Sequence, residues 1–476
     1  LVQAGRPEEA IAPALRAAAA ARALGASGEA YYLLSLALRA LPEGDPRRFD
    51  VLGEREPILR AWGRRRLQGA DIRQMLDLAE GPAQEVEASL RLLRFYAECG
   101  RSHHADQLLP RLEARIAELS DPVWASARLG EVRADLLLAR GALREAAEAA
   151  TLTLALEPLD PRQRALLLLR LGQAQLRAGD LEDAGVTAAA ALALAAELAD
   201  KRLQGDALTL TGEIAGRSTR YQQAIDAFLE ALEIDRDLGD RIATGTKLAN
   251  LGITYTAIGL YRRAERYLRK ALELHEALGN TGLLGDVVVH LGEVMAELGD
   301  YAAARSLLGD AAAIASARGD LRTELRAHAR LAGVLVDEAG PEEAGLDAAE
   351  ALAAQVLDRA RAQGLRTASV RALQILSRVA ERRGALTEAI ALEREAVDLH
   401  AAGAAPVDGI LSIHHLGLLL DASGDLAGSQ EALRRAAELT QARLDDLRSP
   451  ELRRSYLAQP KVQALLAGRA LDHGVG

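Results

Sequence analysis

A single cysteine, Cys99, stands in 476 residues, so no disulfide can form within the chain. That fits a reducing compartment, and a cytoplasmic setting is expected. Aromatic residues make up only 3%. An apolar core must therefore be built from Leu and Ala, both strong helix formers. The 14 prolines are few, and several stand at candidate helix starts. Lysine occurs only at Lys201, Lys247, Lys270 and Lys461, so almost every positive charge is arginine. No apolar run approaches the roughly 20 residues of a membrane span. The richest stretch, Ala188 to Leu198, is flanked by charge. Net charge is −10, which argues against bulk attraction to nucleic acid or to an anionic membrane.

Catalytic signatures are missing too. Gly245-Thr246-Lys247 lacks the Gly-Lys pair of a phosphate loop and sits in a predicted helix. His275-Glu276 is followed by a helix end, not by a second histidine one turn on. The adjacent pairs His103-His104, expected in a turn, and His414-His415, expected on a helix, are poor chelates. Neighbours on a helix point about 100° apart. No cofactor and no metal are expected. Cys99, at a helix end near His103, reads as a small buried residue rather than a reactive thiol.

What is present is a period. Gly172, Gly212, Gly252, Gly292 and Ala332 follow one another at steps of 40; Ser377 comes 45 later and Gly417 another 40 later. A fixed period of this length marks a solenoid of small helical units. The neighbours repeat as well. Around Gly252 stand Leu248, Leu251, Tyr255, Ala264, Leu268 and Ala271; around Gly292, the same offsets give Val288, Leu291, Met295, Ala304, Leu308 and Ala311. Around Gly212 they give Leu208, Thr211, Ala215, Ala224, Phe228 and Ala231. The small residue lets two helices approach, and the larger residues fill the seam. Gly100, Gly141, Gly179, Gly259, Gly299, Gly384 and Gly424 read as left-handed turns inside the hairpins. Asp121-Pro122, Asp160-Pro161 and Ser449-Pro450 read as capped helix starts.

This pattern resembles the tetratricopeptide repeat, in a long-helix form of about 40 residues rather than 34. Leu238-Gly239-Asp240, Leu278-Gly279-Asn280 and Arg318-Gly319-Asp320 sit where that form turns between repeats. The resemblance covers about residues 125–445 and implies an all-α, right-handed superhelical solenoid. Along the chain, 1–30 reads as a partial repeat whose first helix would precede residue 1. Residues 31–85 read as irregular helical repeats, 86–448 as the array, and 449–476 as a capping helix and tail broken near Pro460. The longer stretch 341–364 reads as an extended second helix or an extra loop.

In such arrays the first helices line a concave face. The resemblance places there the residues two before each small position: Arg170, Leu210, Asn250, His290, Arg330, Ile375 and His415. Gln173, Arg177, Arg217 and Arg378 lie one or five positions after it. Arg, Asn, His and Gln in a groove can hydrogen-bond an extended backbone and pair with carboxylates. The expected partner is a protein or peptide with an extended or acidic segment. The paired Lys and Asn of a terminal-carboxylate clamp are not matched, since Lys247 and Asn250 share one helix. The resemblance further implies a scaffold or sensor region of a bacterial signalling protein, with any kinase, ATPase or DNA-binding module upstream and no catalysis in this chain. Two alternatives stay open: a small-molecule sensor, against which the few aromatics argue, and a self-associating scaffold using Ala-rich faces near 186–196 and 344–354.

Overall fold

The computed structural model describes residues 7–23, 26–278, 281–339, 343–401 and 406–468. Among them the chain forms helices and no strand. The helices are α1 (Pro7–Ala23), α2 (Ser27–Ala40), α3 (Arg47–Ala61), α4 (Arg65–Leu78), α5 (Pro82–Glu98), α6 (Ser102–Ala117), α7 (Val123–Arg140) and α8 (Leu143–Leu154). Then come α9 (Pro161–Ala178), α10 (Leu181–Glu197), α11 (Lys201–Arg217), α12 (Tyr221–Asp237), α13 (Arg241–Ala257), α14 (Tyr261–Ala277), α15 (Thr281–Glu297) and α16 (Tyr301–Arg318). The last are α17 (Leu321–Glu338), α18 (Glu343–Ala362), α19 (Arg366–Arg382), α20 (Leu386–Ala401), α21 (Pro406–Ser423), α22 (Leu426–Asp446), α23 (Pro450–Leu457) and α24 (Pro460–Ala467). From α3 to α22, odd-numbered helices are the first and even-numbered the second of each hairpin. The fold is an α-solenoid of helix-turn-helix repeats.

The small residues do what their spacing requires. A Cβ on Gly172 would stand 2.7 Å from Leu210, one on Gly252 2.6 Å from Leu268, and one on Gly292 2.8 Å from Leu308. Real Cβ atoms essentially never come so close, so a larger residue at these positions would force its neighbour to shift. The seven turn glycines all have positive φ, from +67° at Gly100 to +101° at Gly179. Thr219 fills the same place after Gly212 with φ +59°, although a β-branched residue resists that region. Asp160 caps α9 by accepting from the Gln163 amide at 3.1 Å, and Ser449 caps α23 through Leu452 at 3.4 Å. Asp121 accepts from Val123, where α7 begins one residue later than expected.

Other expectations shift. His103 and His104 lie in the first turn of α6, not in a turn before it. The tail is two short helices, α23 and α24, and the break expected near Pro460 falls between them. After Ala332, α18 is a long second helix of 20 residues, one of the two forms expected for this stretch. Gly5, Arg6, Gly25, Gly279, Asn280 and the segments 340–342 and 469–476 lie outside the described residues.

Two compact units divide the chain. The first comprises Leu1–Ile214, Ala227–Lys247 and Leu278–Asn280. In it α1 packs on α2 around Ile11, Ala14, Ala30 and Leu34. The Ser27 hydroxyl reaches the Leu238 carbonyl at 3.4 Å, and the Gly63 turn rests on Ile242 and Leu278. The second unit comprises Ala215–Asp226, Leu248–Ala277 and Thr281–Gly476. There the tail reaches far back along the sequence. The Gln459 amide donates to the Ile258 carbonyl at 2.6 Å, Ser449 N–H to Gln222 at 3.3 Å, and Glu451 pairs with Arg263. Val462 and Leu465 of α24 are buried, the latter in a cluster with Ile410 and Ala436.

Candidate functional site on the first helices

In the second unit, α13, α15 and α17 each present a polar residue two positions before the small one: Asn250, His290 and Arg330. All three are half-buried, neither sealed in the seam nor free in solvent. Arg330 donates to Glu293 across the helix pair at 2.7 Å, and His290 lies 3.5 Å from the same carboxylate. Burial works against the Glu293 charge, but Arg330, His290 and Arg371 outweigh it and hold the carboxyl far below its usual range. Burial lowers the His290 pKa, so its imidazole is neutral at pH 7.

The same pairing recurs along the second unit. Arg378 on α19 meets Asp337 on α17. Arg326 meets Asp286, which also accepts from the Thr323 hydroxyl at 2.9 Å. His415 on α21 bridges Glu381 at 3.0 Å and the fully buried Glu393 at 2.9 Å. Burial disfavours its charge, yet the two hydrogen-bonded carboxylates raise its pKa to about 9.

In the first unit Arg170 on α9 lies 3.5 Å from Glu131 and pairs with Asp135, both on α7. Burial opposes its charge, but these carboxylates raise its pKa further. Arg94 holds Glu131 from the other side at 2.8 Å. Arg177 donates to the Leu138 carbonyl at 2.7 Å, and Gln173 is half-buried. Arg217, in the second unit, is half-buried in the last turn of α11. Lys247 is turned inward, 3.0 Å from buried Asp235. Burial pushes the Asp235 pKa up to about 6 in spite of that lysine.

Sequence reasoning missed that most of these cations already have a carboxylate on an adjacent first helix. The acids stand one, four or five positions after the small residue, the cations mostly two before the next: Asp135 with Arg170, Glu293 with Arg330, Glu381 with His415. That offset was visible in the sequence, but only stacking of the repeats shows that the two rows touch. The face is thus a run of bonded pairs in which each arginine keeps some exposure, 22% for Arg330.

A tetratricopeptide-repeat family model matches residues 213–277. That segment is built of tetratricopeptide repeats. Among solved structures, the array is similar to a Rap protein complexed with competence and sporulation factor. They share 14% identity with a TM-score of 0.56, over 76% of this chain and 99% of that one. NprR in complex with its cognate peptide NprX gives 14% and 0.53, over 75% and 99%. The apo form of the quorum sensor NprR from B. thuringiensis gives 14% and 0.52, over the same shares. These likenesses are ones of fold. No curated protein sequence matches the chain. Among the described residues, no helix of the array is long and apolar enough to cross a membrane, and no group of three or more His, Cys, Asp or Glu is placed to hold a metal ion.

Proposed function

We propose that this array is the peptide-binding sensor or scaffold part of a larger bacterial signalling protein, working in the cytoplasm. It captures an extended, acidic protein segment on its first helices. The observation that carries this reading is the row Asn250, His290 and Arg330. Three consecutive first helices offer three different polar groups, all half-buried. Packed helices stand about 8–10 Å apart, roughly three extended residues. A peptide crossing them meets one such group every few residues. The Asn250 amide suits a main-chain unit. Arg330 is held by Glu293, so an acidic ligand side chain must share or replace that partner. This selects for bidentate carboxylates in the right register over loose negative charge. NprR, similar in fold, was solved with its cognate peptide, which supports the reading.

Panning a displayed peptide library against the wild type and against Asn250→Ala with Arg330→Ala tests the reading. Charge-assisted hydrogen bonds contribute about 1.5–3 kcal/mol each, so selected peptides should bind the double variant at least about tenfold more weakly. Equal binding to both proteins, with unchanged helicity, overturns the assignment of this row.

A further inference from the structure

A second polar feature lies in the first unit, apart from the paired rows. A cavity of about 370 Å³ opens between α4 and α5. Its volume falls at the small end of ligand pockets, which span about 300–1,000 Å³. One wall is Phe95, Tyr96 and Cys99 of α5 and the turn after it; the other is the start of α4, with Arg101 beside the mouth. Gly69 shapes it. A Cβ there would stand 3.0 Å from the Phe95 ring, so the glycine lets that ring lie against α4 as an apolar floor.

The charge around this floor is unbalanced. Arg65 is committed to Glu98 at 2.6 Å and Gln68 at 2.8 Å. Arg66, Arg73 and Arg101 have no carboxylate partner among the described residues. Arg73 uses only its Nε, donating to the Gly69 carbonyl at 3.0 Å, and its two terminal nitrogens stay available. Arg101 stands 6.0 Å over the Phe95 ring. The surrounding arginines behave otherwise: Arg60, Arg91, Arg94 and Arg128 each hold a glutamate. Three exposed guanidiniums without a carboxylate partner thus surround this cavity, a local positive patch in a chain of net charge −10.

We propose that this cavity binds a small planar molecule carrying a phosphate monoester, of the aryl phosphate or mononucleotide class. The phosphate, close to a dianion at neutral pH, takes the Arg66, Arg73 and Arg101 forks. The ring lies against the half-buried Tyr96, with the buried Phe95 beneath as support. The site is separate from the peptide row and does not depend on it.

Cys99 lines the cavity and is the sole cysteine, so it reports occupancy. Burial raises the pKa of its thiol, and the resulting slow alkylation is easily timed. The rate of maleimide alkylation is measured with phenyl phosphate, adenosine 5′-monophosphate, inorganic phosphate, phenol or adenosine at equal ionic strength. At ten times Kd, an aromatic phosphate should slow alkylation about tenfold. Inorganic phosphate and the neutral parents should give little protection. Arg66→Gln with Arg73→Gln loses no ion pair, so its melting temperature should hold while its affinity falls at least about tenfold. Each rate is compared with and without ligand in the same protein, so a changed basal reactivity cancels. Lack of protection by both aromatic phosphates overturns the proposal, as does equal protection by inorganic phosphate or an unaffected double variant. Protection by a phosphotyrosine peptide alone overturns the small-molecule assignment.

Discussion

Two hairpins, α3–α4 and α13–α14, solve one problem in opposite ways. In α13–α14, Gly252 lets the helices close onto Leu268, and Gly259 makes the turn seven residues later at φ +69°. In α3–α4 the turn is Gly63, also at φ +69°, but seven residues before it stands Glu56. The position that should be small holds a buried carboxylate. Twelve residues on, where α14 has Ala264, α4 has Gln68. Its amide donates to Glu56 at 2.6 Å, and Arg91 of the next hairpin donates to the other oxygen at 3.0 Å. The backbone geometry of the hairpin survives while the chemistry of its seam changes from apolar contact to a hydrogen-bonded polar pair. A satisfied polar seam still packs, and it is intolerant of losing one member.

That intolerance gives the largest expected effect. Glu56→Ala leaves Gln68 without its acceptor and Arg91 with only its remaining partners, Glu87 and the Gly53 carbonyl. Breaking a buried charge pair from one side costs about 3–5 kcal/mol, and the partial exposure of Arg91 puts this case at the lower end. Denaturant unfolding monitored by circular dichroism measures it. A loss below about 1 kcal/mol would mean that the seam of α3–α4 is held by its apolar neighbours alone.

A polar device at the other end of the chain responds to pH. His415 has a pKa near 9 in the folded protein against 6.5 for a free imidazole. Its protonated form therefore stabilises the fold fully below pH 6.5, and that contribution is lost as pH rises through 9. At about 1.4 kcal/mol per unit the swing is on the order of 3 kcal/mol. His290 and His328 are both held below 6.5 and titrate under this window. Thermal melts across pH 6.5 to 9.5 should show the slope, and His415→Gln should flatten it. A slope that survives the substitution assigns the effect elsewhere.

The contrast also explains how much was legible. Residues 172–292 announced their hairpins because a small residue and its Ala, Leu or Phe partners sit at fixed offsets, and that arrangement is local. The turn glycines were legible for the same reason: one backbone conformation demands one residue type. Glu56 and Gln68 were not, because a polar pair follows no hydrophobic period. The Glu293–Arg330 and Asp135–Arg170 pairs were not, because the reach of long side chains between helices is set by stacking. Thr219 shows the converse: packing imposes a left-handed turn where the sequence offers no glycine.

The smallest effect tests the feature that was read most directly. Gly252→Leu drives a side chain into Leu268, whose Cγ would lie 2.6 Å from the new Cβ, and toward the Ala264 carbonyl at 3.3 Å. Overpacking of this kind costs about 1–3 kcal/mol. Gly309, exposed in the middle of α16 with nothing within 4 Å of where a Cβ would stand, is the matched control. Gly309→Ala should stabilise by up to about 1 kcal/mol, since it only removes the conformational freedom of a helical glycine. Opposite signs at the two positions in the same unfolding assay separate a glycine required by close approach from one that is merely tolerated. The same sign at both would place the seam of α13–α14 away from Gly252.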